Sequence, residues 1–216
     1  MGGDRRGGPA SQGCQPPVSR LTTAEVPAAT RTLAAAFSGY PLLRAIAPNN
    51  PRAVEAFCGM LVRYTARLGT AYATADGAAV ACWFPPGHPA PTIRGLIRAG
   101  VVTLARELGL RGGLLMLRLE RQFDRARMAH VPGPHWYLPL LGVDPTARRR
   151  GLSRAVLQPV LACASRDGLP CYLETQDETV LPAYSRLGFS VVGSRRVAGG
   201  LQNWELSRAP GAGGNA

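Results

Sequence analysis

The stretch Leu138-Pro139-Leu140-Leu141-Gly142-Val143-Asp144-Pro145-Thr146-Ala147-Arg148-Arg149-Arg150-Gly151-Leu152-Ser153-Arg154-Ala155-Val156-Leu157 decides how the chain is read. An apolar, strand-like run ends at Asp144-Pro145, a turn signal. Three arginines follow, then a glycine and the opening of a helix. Glycine lets the backbone approach a ligand closely, and the first turn of a helix carries N–H groups with no acceptor of their own. Those groups favour an anion, and neighbouring arginines add charge-assisted bonds to phosphate oxygens. Strand, basic turn and helix start together imply a pyrophosphate site.

Outward from that stretch, the pattern alternates strand and helix. Thr22-Thr23-Ala24-Glu25 has the form of a helix cap, leading a helix through Phe37 that stops before Pro41. A second helix is expected at 51–67, then strands at 71–75 and 78–84 joined at Asp76-Gly77. Residues 92–128 read as helical, broken at Gly112-Gly113 and resuming over Leu114–Arg127. Trp136–Val143 reads as a strand, Gly151–Arg166 as a helix and Pro170–Glu174 as a strand. Thr179–Leu187 is a short helix, with strands at Phe189–Val192 and Asn203–Leu206. Interleaved helices and strands predict an α/β fold, a mixed central sheet flanked by helices. Pro139 inside a strand calls for an edge or a bulge, and Pro159 inside a helix for a kink. Residues 1–20, rich in Gly, Pro, Ser and Gln, are expected to be disordered; 21–208 form one domain, and 209–216 a flexible tail.

Arg148-x-x-Gly151-x-Ser153 resembles the Arg/Gln-x-x-Gly-x-Gly/Ala signature of the GNAT-superfamily acetyltransferases, which bind acetyl-CoA. Tyr172-Leu173-Glu174-Thr175 and Leu181-Pro182-Ala183-Tyr184-Ser185-Arg186-Leu187-Gly188-Phe189 resemble further segments of that family. Val26-Pro27, Arg31-Thr32-Leu33-Ala34-Ala35-Ala36-Phe37 and Tyr40-Pro41 are similar to the puromycin N-acetyltransferases within it. The resemblance implies the GNAT fold and acetyl transfer to a primary amine of a small molecule, in the puromycin group a detoxification. It implies that backbone groups of Leu141 and Val143 bond the pantetheine arm, and that Arg148, Arg149, Arg150, Gly151 and Ser153 cradle the pyrophosphate. It makes Tyr184 the general acid: a phenol near pKa ~10 is protonated at neutral pH and can donate to a leaving thiolate. Glu174, at a strand end, is the candidate base, with a structural hydrogen bond as its other reading.

The sequence departs from the family pattern at Ser153, where Gly or Ala is usual, and at Val180, where relatives often carry an asparagine that contacts CoA. Those departures motivate one alternative, a non-catalytic domain that senses CoA or binds a partner. A second alternative is an N-acyltransferase of natural-product biosynthesis.

Composition excludes other classes. The net charge is +12, all of it carried by arginine, since lysine is absent. A P-loop Gly-Lys-Ser/Thr is therefore impossible. The arginines are scattered and no nucleic-acid-binding signature appears, so no nucleic-acid partner is expected. No uninterrupted apolar run reaches the ~18 residues that argue a spanning helix, and no signal peptide is evident, so a cytoplasmic protein without membrane contact is expected. Gly151-Leu152-Ser153 partly mimics a hydrolase elbow, but His88, His130 and His135 all precede Ser153, the wrong order for that triad. The histidines show no metal spacing, so no metal is expected. Cys14, Cys58, Cys82, Cys163 and Cys171 form no C-x-x-C pair, and four of them lie in apolar segments as expected of buried thiols. Without a convincing nucleophilic cysteine, direct attack in a ternary complex is the expected mechanism.

Overall fold

The computed structural model describes residues 17–87 and 92–211. The segment 1–16, with Cys14, the tail from 212 and His88 lie outside the described residues.

Seven strands form one sheet in the order β1 (Val18–Arg20), β2 (Ala71–Thr74), β3 (Ala79–Phe84), β4 (Trp136–Val143), β5 (Cys171–Thr175), β7 (Gln202–Arg208) and β6 (Ser190–Arg196). All neighbours are antiparallel except β4 and β5. On one face lie α1 (Val26–Ala36), α2 (Pro41–Ile46), α3 (Pro51–Arg67), α4 (Ile93–Ala99) and α5 (Val101–His130); on the other lies α6 (Leu152–Arg166), with α7 (Leu181–Ser185) near its start. Leu33, Leu43, Ile46, Val62, Leu119 and Leu140 fill the first core; Trp83, Val156, Leu157, Leu173 and Leu206 fill the second. The sheet is thus buried on both faces, which accounts for strands as apolar as Ala79-Val80-Ala81-Cys82-Trp83.

Local chemistry places the helices. Thr22 and Glu25 form a capping box, with the Thr22 N–H donating to the Glu25 carboxylate at 2.7 Å. Asn50 caps α3 by accepting from the Ala53 N–H, and Pro51 takes the first helical position.

Three expectations are corrected. Val18–Arg20 pairs with β2 in register, so the ordered domain starts before residue 21. The first helix ends before Pro41, as its sequence implied, and Pro41 itself opens α2, because proline suits a first turn. The long helical region breaks at Gly100 (φ 105) and Gly109 (φ 63), and runs through Gly112-Gly113. Gly112 lies against the Ile46 carbonyl, where a Cβ would overlap that oxygen, so its missing side chain serves packing. The last two strands are longer than expected, β6 reaching Arg196 and β7 running from Gln202 to Arg208. Helix α6 continues through Pro159, which donates no bond to the Ala155 carbonyl.

Pro139 sits at a bulge. Between the pairs Cys82–Leu140 and Phe84–Tyr137, β3 advances by two residues and β4 by three. The extra residue changes which way the β4 backbone faces. Trp136 donates toward β5, to the Pro170 carbonyl at 2.9 Å, whereas Asp144 donates toward β3, to the Ala78 carbonyl at 2.8 Å. By the two-residue period of an antiparallel ladder, Gly142 and Leu140 share the orientation of Asp144. Leu141 and Val143 therefore turn their N–H and C=O groups toward β5. But β4 and β5 pair only at Trp136–Cys171 and Tyr137–Tyr172. Beyond that point the strands part, and the backbone groups of Leu141 and Val143 face the opening.

Candidate active site

A cavity of about 1560 Å³ occupies the opening between β4 and β5. Its walls include Leu141 and Val143 of β4, Glu174 of β5, Arg148, Arg149, Gly151 and Ser153 of the basic turn and α6, and Tyr184 of α7. Sequence reasoning thus selected residues that converge on one space. Arg150 is the exception: it is absent from the cavity wall, and its charge lies beside Asp76 in the β2–β3 turn.

At one end the cavity is built for an anion. Arg149 (φ 65) and Gly151 (φ 74) both take the left-handed conformation, which glycine adopts freely and arginine only under constraint. The turn delivers the chain to α6 with Gly151 as its N-cap, and the first closing bond runs from the Ala155 N–H to the Gly151 carbonyl at 3.2 Å. The N–H groups of Leu152, Ser153 and Arg154 precede that bond and lack intrahelical acceptors. Left-handed turns leading into a helix start make an anion-binding concavity. Arg148, Arg149 and Arg154 add positive charge along the same wall. Ser153 stands in the first turn, and Val180 lines the wall without a polar group to offer. The donor set fits a pyrophosphate followed by an amide-bearing arm laid along the open edge of β4.

The middle of the cavity carries the titratable groups. Burial pushes the Glu174 carboxyl up to about 8; Glu120 adds to the rise, while Tyr137, Arg127 and Tyr172 oppose it. Its Oε1 is sealed from solvent and has no hydrogen-bond partner among the described residues. Glu205 stands opposite Glu174 on β7. The Glu205 carboxylate is fully buried and held by Arg195 Nε at 2.7 Å, by His130 Nε2 at 3.1 Å and by Asn203 Nδ2 at 3.2 Å. Gly193 makes room for that cluster, since a Cβ there would collide with Glu205 and His130. Tyr184 packs edge-on against Phe189, and burial pushes its phenol up, with Tyr40 and Asp177 adding to the rise. Tyr184 is therefore a protonated group facing the cavity at neutral pH. Tyr40 is pinned by its hydroxyl, which accepts from the Gln176 N–H at 3.0 Å and lies 3.1 Å from Thr175 Oγ1.

The other end is apolar and aromatic, lined by Phe37, Phe57, Tyr64, Phe84, Phe123 and Tyr137 among others. Set into it are Glu120, Asp124 and Arg127, spaced to share one face of α5. Sequence reasoning missed these three, because acids and arginines at that spacing look like a solvated helix face. Arg127 pairs with Asp124 at 2.5 Å and lies over the Tyr137 ring at 4.6 Å. His135 lines the cavity, with Nδ1 at 2.7 Å from the Gly133 carbonyl, and burial lowers its pKa; His130 is instead engaged with Glu205.

None of the cysteines among the described residues lines the cavity. Burial pushes the Cys82 and Cys171 thiols up to about 12, away from thiolate chemistry. Among the described residues there is no group of three His, Cys, Asp or Glu side chains that could hold a metal, and no helix long and apolar enough to cross a membrane.

Parted parallel strands, a bulge before the parting and a helix start beneath it define the GNAT fold. Residues 111–206 match the family model described as the acetyltransferase (GNAT) domain. An acetyltransferase related to the histone acetyltransferase HPA2, from Corynebacterium glutamicum, superposes with a TM-score of 0.64 at 22% identity, covering 94% of this chain and all (100%) of that one. A polyamine N-acetyltransferase of Drosophila melanogaster superposes with a TM-score of 0.63 at 17% identity, covering 89% of this chain and 98% of its own. In sequence, an uncharacterized N-acetyltransferase of Schizosaccharomyces pombe is 26% identical over 121 residues, 53% of this chain. The chain spans about half (48%) of the length of that curated relative.

Proposed function

We propose that the protein transfers an acetyl group from acetyl-CoA to a primary amine of a small molecule, by direct attack in a ternary complex. The observation that carries this reading is one continuous cavity. It joins an anion-binding helix start and an open strand edge to a carboxyl, a phenol and an aromatic chamber. Acetyl-CoA supplies an activated acyl thioester. The first turn of α6, with Arg148, Arg149, Gly151 and Ser153, holds the pyrophosphate, and Leu141 and Val143 hold the arm. Backbone N–H groups on the open β4 edge favour the developing negative charge of the acyl oxygen. Glu174 takes a proton from the amine as the C–N bond forms; Tyr184 gives one to the sulfur as the C–S bond breaks.

The finer reading is an acceptor of the puromycin kind, an α-amine beside an aromatic group, with detoxification in the cytoplasm as the role. Two observations support it. Phe37 and Tyr40, in the segment similar to the puromycin N-acetyltransferases, line the cavity. A base near 8 also matches an α-amine near ~7.7–8.0 far better than an ε-amine near ~10.4. The test is release of free thiol from acetyl-CoA, with mass spectrometry of the acceptor, using puromycin, an aminoglycoside, an aliphatic diamine and a lysine-bearing peptide. Acetylated puromycin is expected. Acetylation of the peptide with puromycin untouched overturns the acceptor reading; no acetylation of any amine, with acetyl-CoA bound, favours the non-catalytic reading that Ser153 and Val180 motivate.

A further inference from the structure

The chain is strongly basic, with 25 arginines against 13 acids, yet three carboxyl groups, Glu120, Asp124 and Glu174, line the cavity wall. Only Arg127 stands among them, and it is already engaged. It pairs with Asp124 at 2.5 Å and lies over Tyr137. No salt bridge to Glu120 or Glu174 forms among the described residues. One Glu174 oxygen is sealed from solvent and has no hydrogen-bond partner among the described residues. The walls around them, Phe57, Tyr64, Phe84, Met116 and Phe123, offer no charge.

Carboxyl groups set in an apolar wall without counter-ions are costly to ionise, and a cation that enters relieves that cost. We propose that Glu120, together with Glu174, selects the acceptor by charge: the cavity takes an ammonium carried on an aromatic or apolar body and rejects an acceptor with a carboxylate beside its amine. The proposal rests on the acetyl-transfer reading for its chemistry but not for its recognition. Glu120 lines the cavity and is exposed to water. Burial among the surrounding walls pushes its carboxyl up to about 7, with Asp124 adding and Arg127 opposing. An incoming ammonium draws both carboxyls toward their ionised forms. Of the three ammonium protons, Glu174 takes one before attack and passes it to solvent; a second leaves the nitrogen as the C–N bond forms and, by way of Glu174 and solvent, restores the proton that Tyr184 gives to the sulfur; the third stays on the amide. Glu120 takes no proton and remains as the counter-ion. A carboxylate on the carbon next to the amine would face Glu120 and Glu174 together, with Arg127 already occupied.

The test uses three acceptors that share one ring and one amine: tyramine, tyrosinamide and free tyrosine. Calorimetry measures binding to the wild type and to Glu120→Gln, and thiol release gives KM and kcat. The wild type is expected to bind and acetylate tyramine and tyrosinamide and to discriminate against tyrosine by about 100-fold or more in affinity. In Glu120→Gln the Kd and KM for tyrosinamide should rise about tenfold, with kcat and the KM for acetyl-CoA little changed, and discrimination against tyrosine should fall by a similar factor. Wild type that binds tyrosine as well as tyrosinamide, wild type that binds neither amide nor tyramine, or Glu120→Gln that keeps full discrimination overturns the proposal. Binding without acetylation leaves recognition by charge intact and removes the transferase reading instead. The variant is near-isosteric at a cavity-facing position, and its melting temperature checks the fold.

Discussion

Replacing Glu174 by glutamine separates the two roles a buried carboxyl can have. The groups that face it are Tyr137 on β4, Tyr172 on β5, Glu205 on β7 with its Arg195 and His130 partners, and Glu120 and Arg127 on α5. Burial is the largest influence and lifts the carboxyl from 4.5 to about 8. A base of that pKa is about 1% ionised at pH 6, about 9% at pH 7 and about 90% at pH 9. With acetyl-CoA saturating and the amine well below its KM, wild-type kcat/KM should rise close to tenfold (about one decade) between pH 6 and pH 7 and approach a plateau as Glu174 ionises. Glu174→Gln should lose that slope and run about 10²–10⁴-fold below the plateau. Stability should move the other way. The folded state holds the Glu174 proton up to about pH 8, whereas the unfolded chain releases it near 4.5. Between those values the native state binds more protons, so the free energy of unfolding falls as pH rises. Glutamine removes that loss, on the order of 3 kcal/mol at pH 7. The variant should therefore melt several degrees above the wild type at pH 8 and level with it at pH 4. Thiol release across pH and thermal melts at pH 4, 6 and 8 read both effects. Wild-type kcat/KM in the variant, or a lower melting temperature than wild type at pH 8, would refute the reasoning.

Gly151→Asp places a carboxylate where it opposes a pyrophosphate, at a left-handed residue (φ 74) where any side chain adds some backbone strain; acetyl-CoA affinity should fall about tenfold or more in protein whose melting temperature shows it folded, and an unchanged calorimetric Kd removes the cofactor assignment. Tyr184→Phe keeps the ring against Phe189 and loses the proton donor, so kcat should fall about tenfold or more while acetyl-CoA affinity holds; full turnover at saturation dismisses the general acid. Arg195→Ala leaves the fully buried Glu205 with His130 and Asn203 alone and should cost on the order of 3 kcal/mol in denaturant unfolding, whereas a change under about 0.5 kcal/mol would mean water replaces the guanidinium freely.

What could be read from the sequence was local, and what could not depended on which elements meet. The stretch from Leu138 to Leu157 carries strand, turn, glycine and helix start in order, so the anion end of the cavity is written continuously. Pro139 called for an edge or a bulge, and neither the choice nor its consequence could be read from the sequence. That consequence requires knowing that Trp136 bonds toward β5 and Asp144 toward β3, a change of sense that one inserted residue produces and that leaves Leu141 and Val143 facing the opening. The acceptor end was hidden for a different reason. Glu120, Asp124 and Arg127 carry the spacing of an exposed, salt-bridged face, and they become a chamber wall only because α5 is laid against the sheet. The glycines that allow this gave a misleading signal. Gly112-Gly113 reads as a break, whereas Gly112 is the point of close approach to α2, and Gly109, less conspicuous in sequence, takes the non-helical turn. The chemistry of the cofactor end thus follows from one segment, and the specificity of the acceptor end from how a long basic helix is seated. Substitutions in α5 at 120 and 124 should accordingly change which amine binds while leaving acetyl-CoA affinity in place, as the Glu120→Gln series measures.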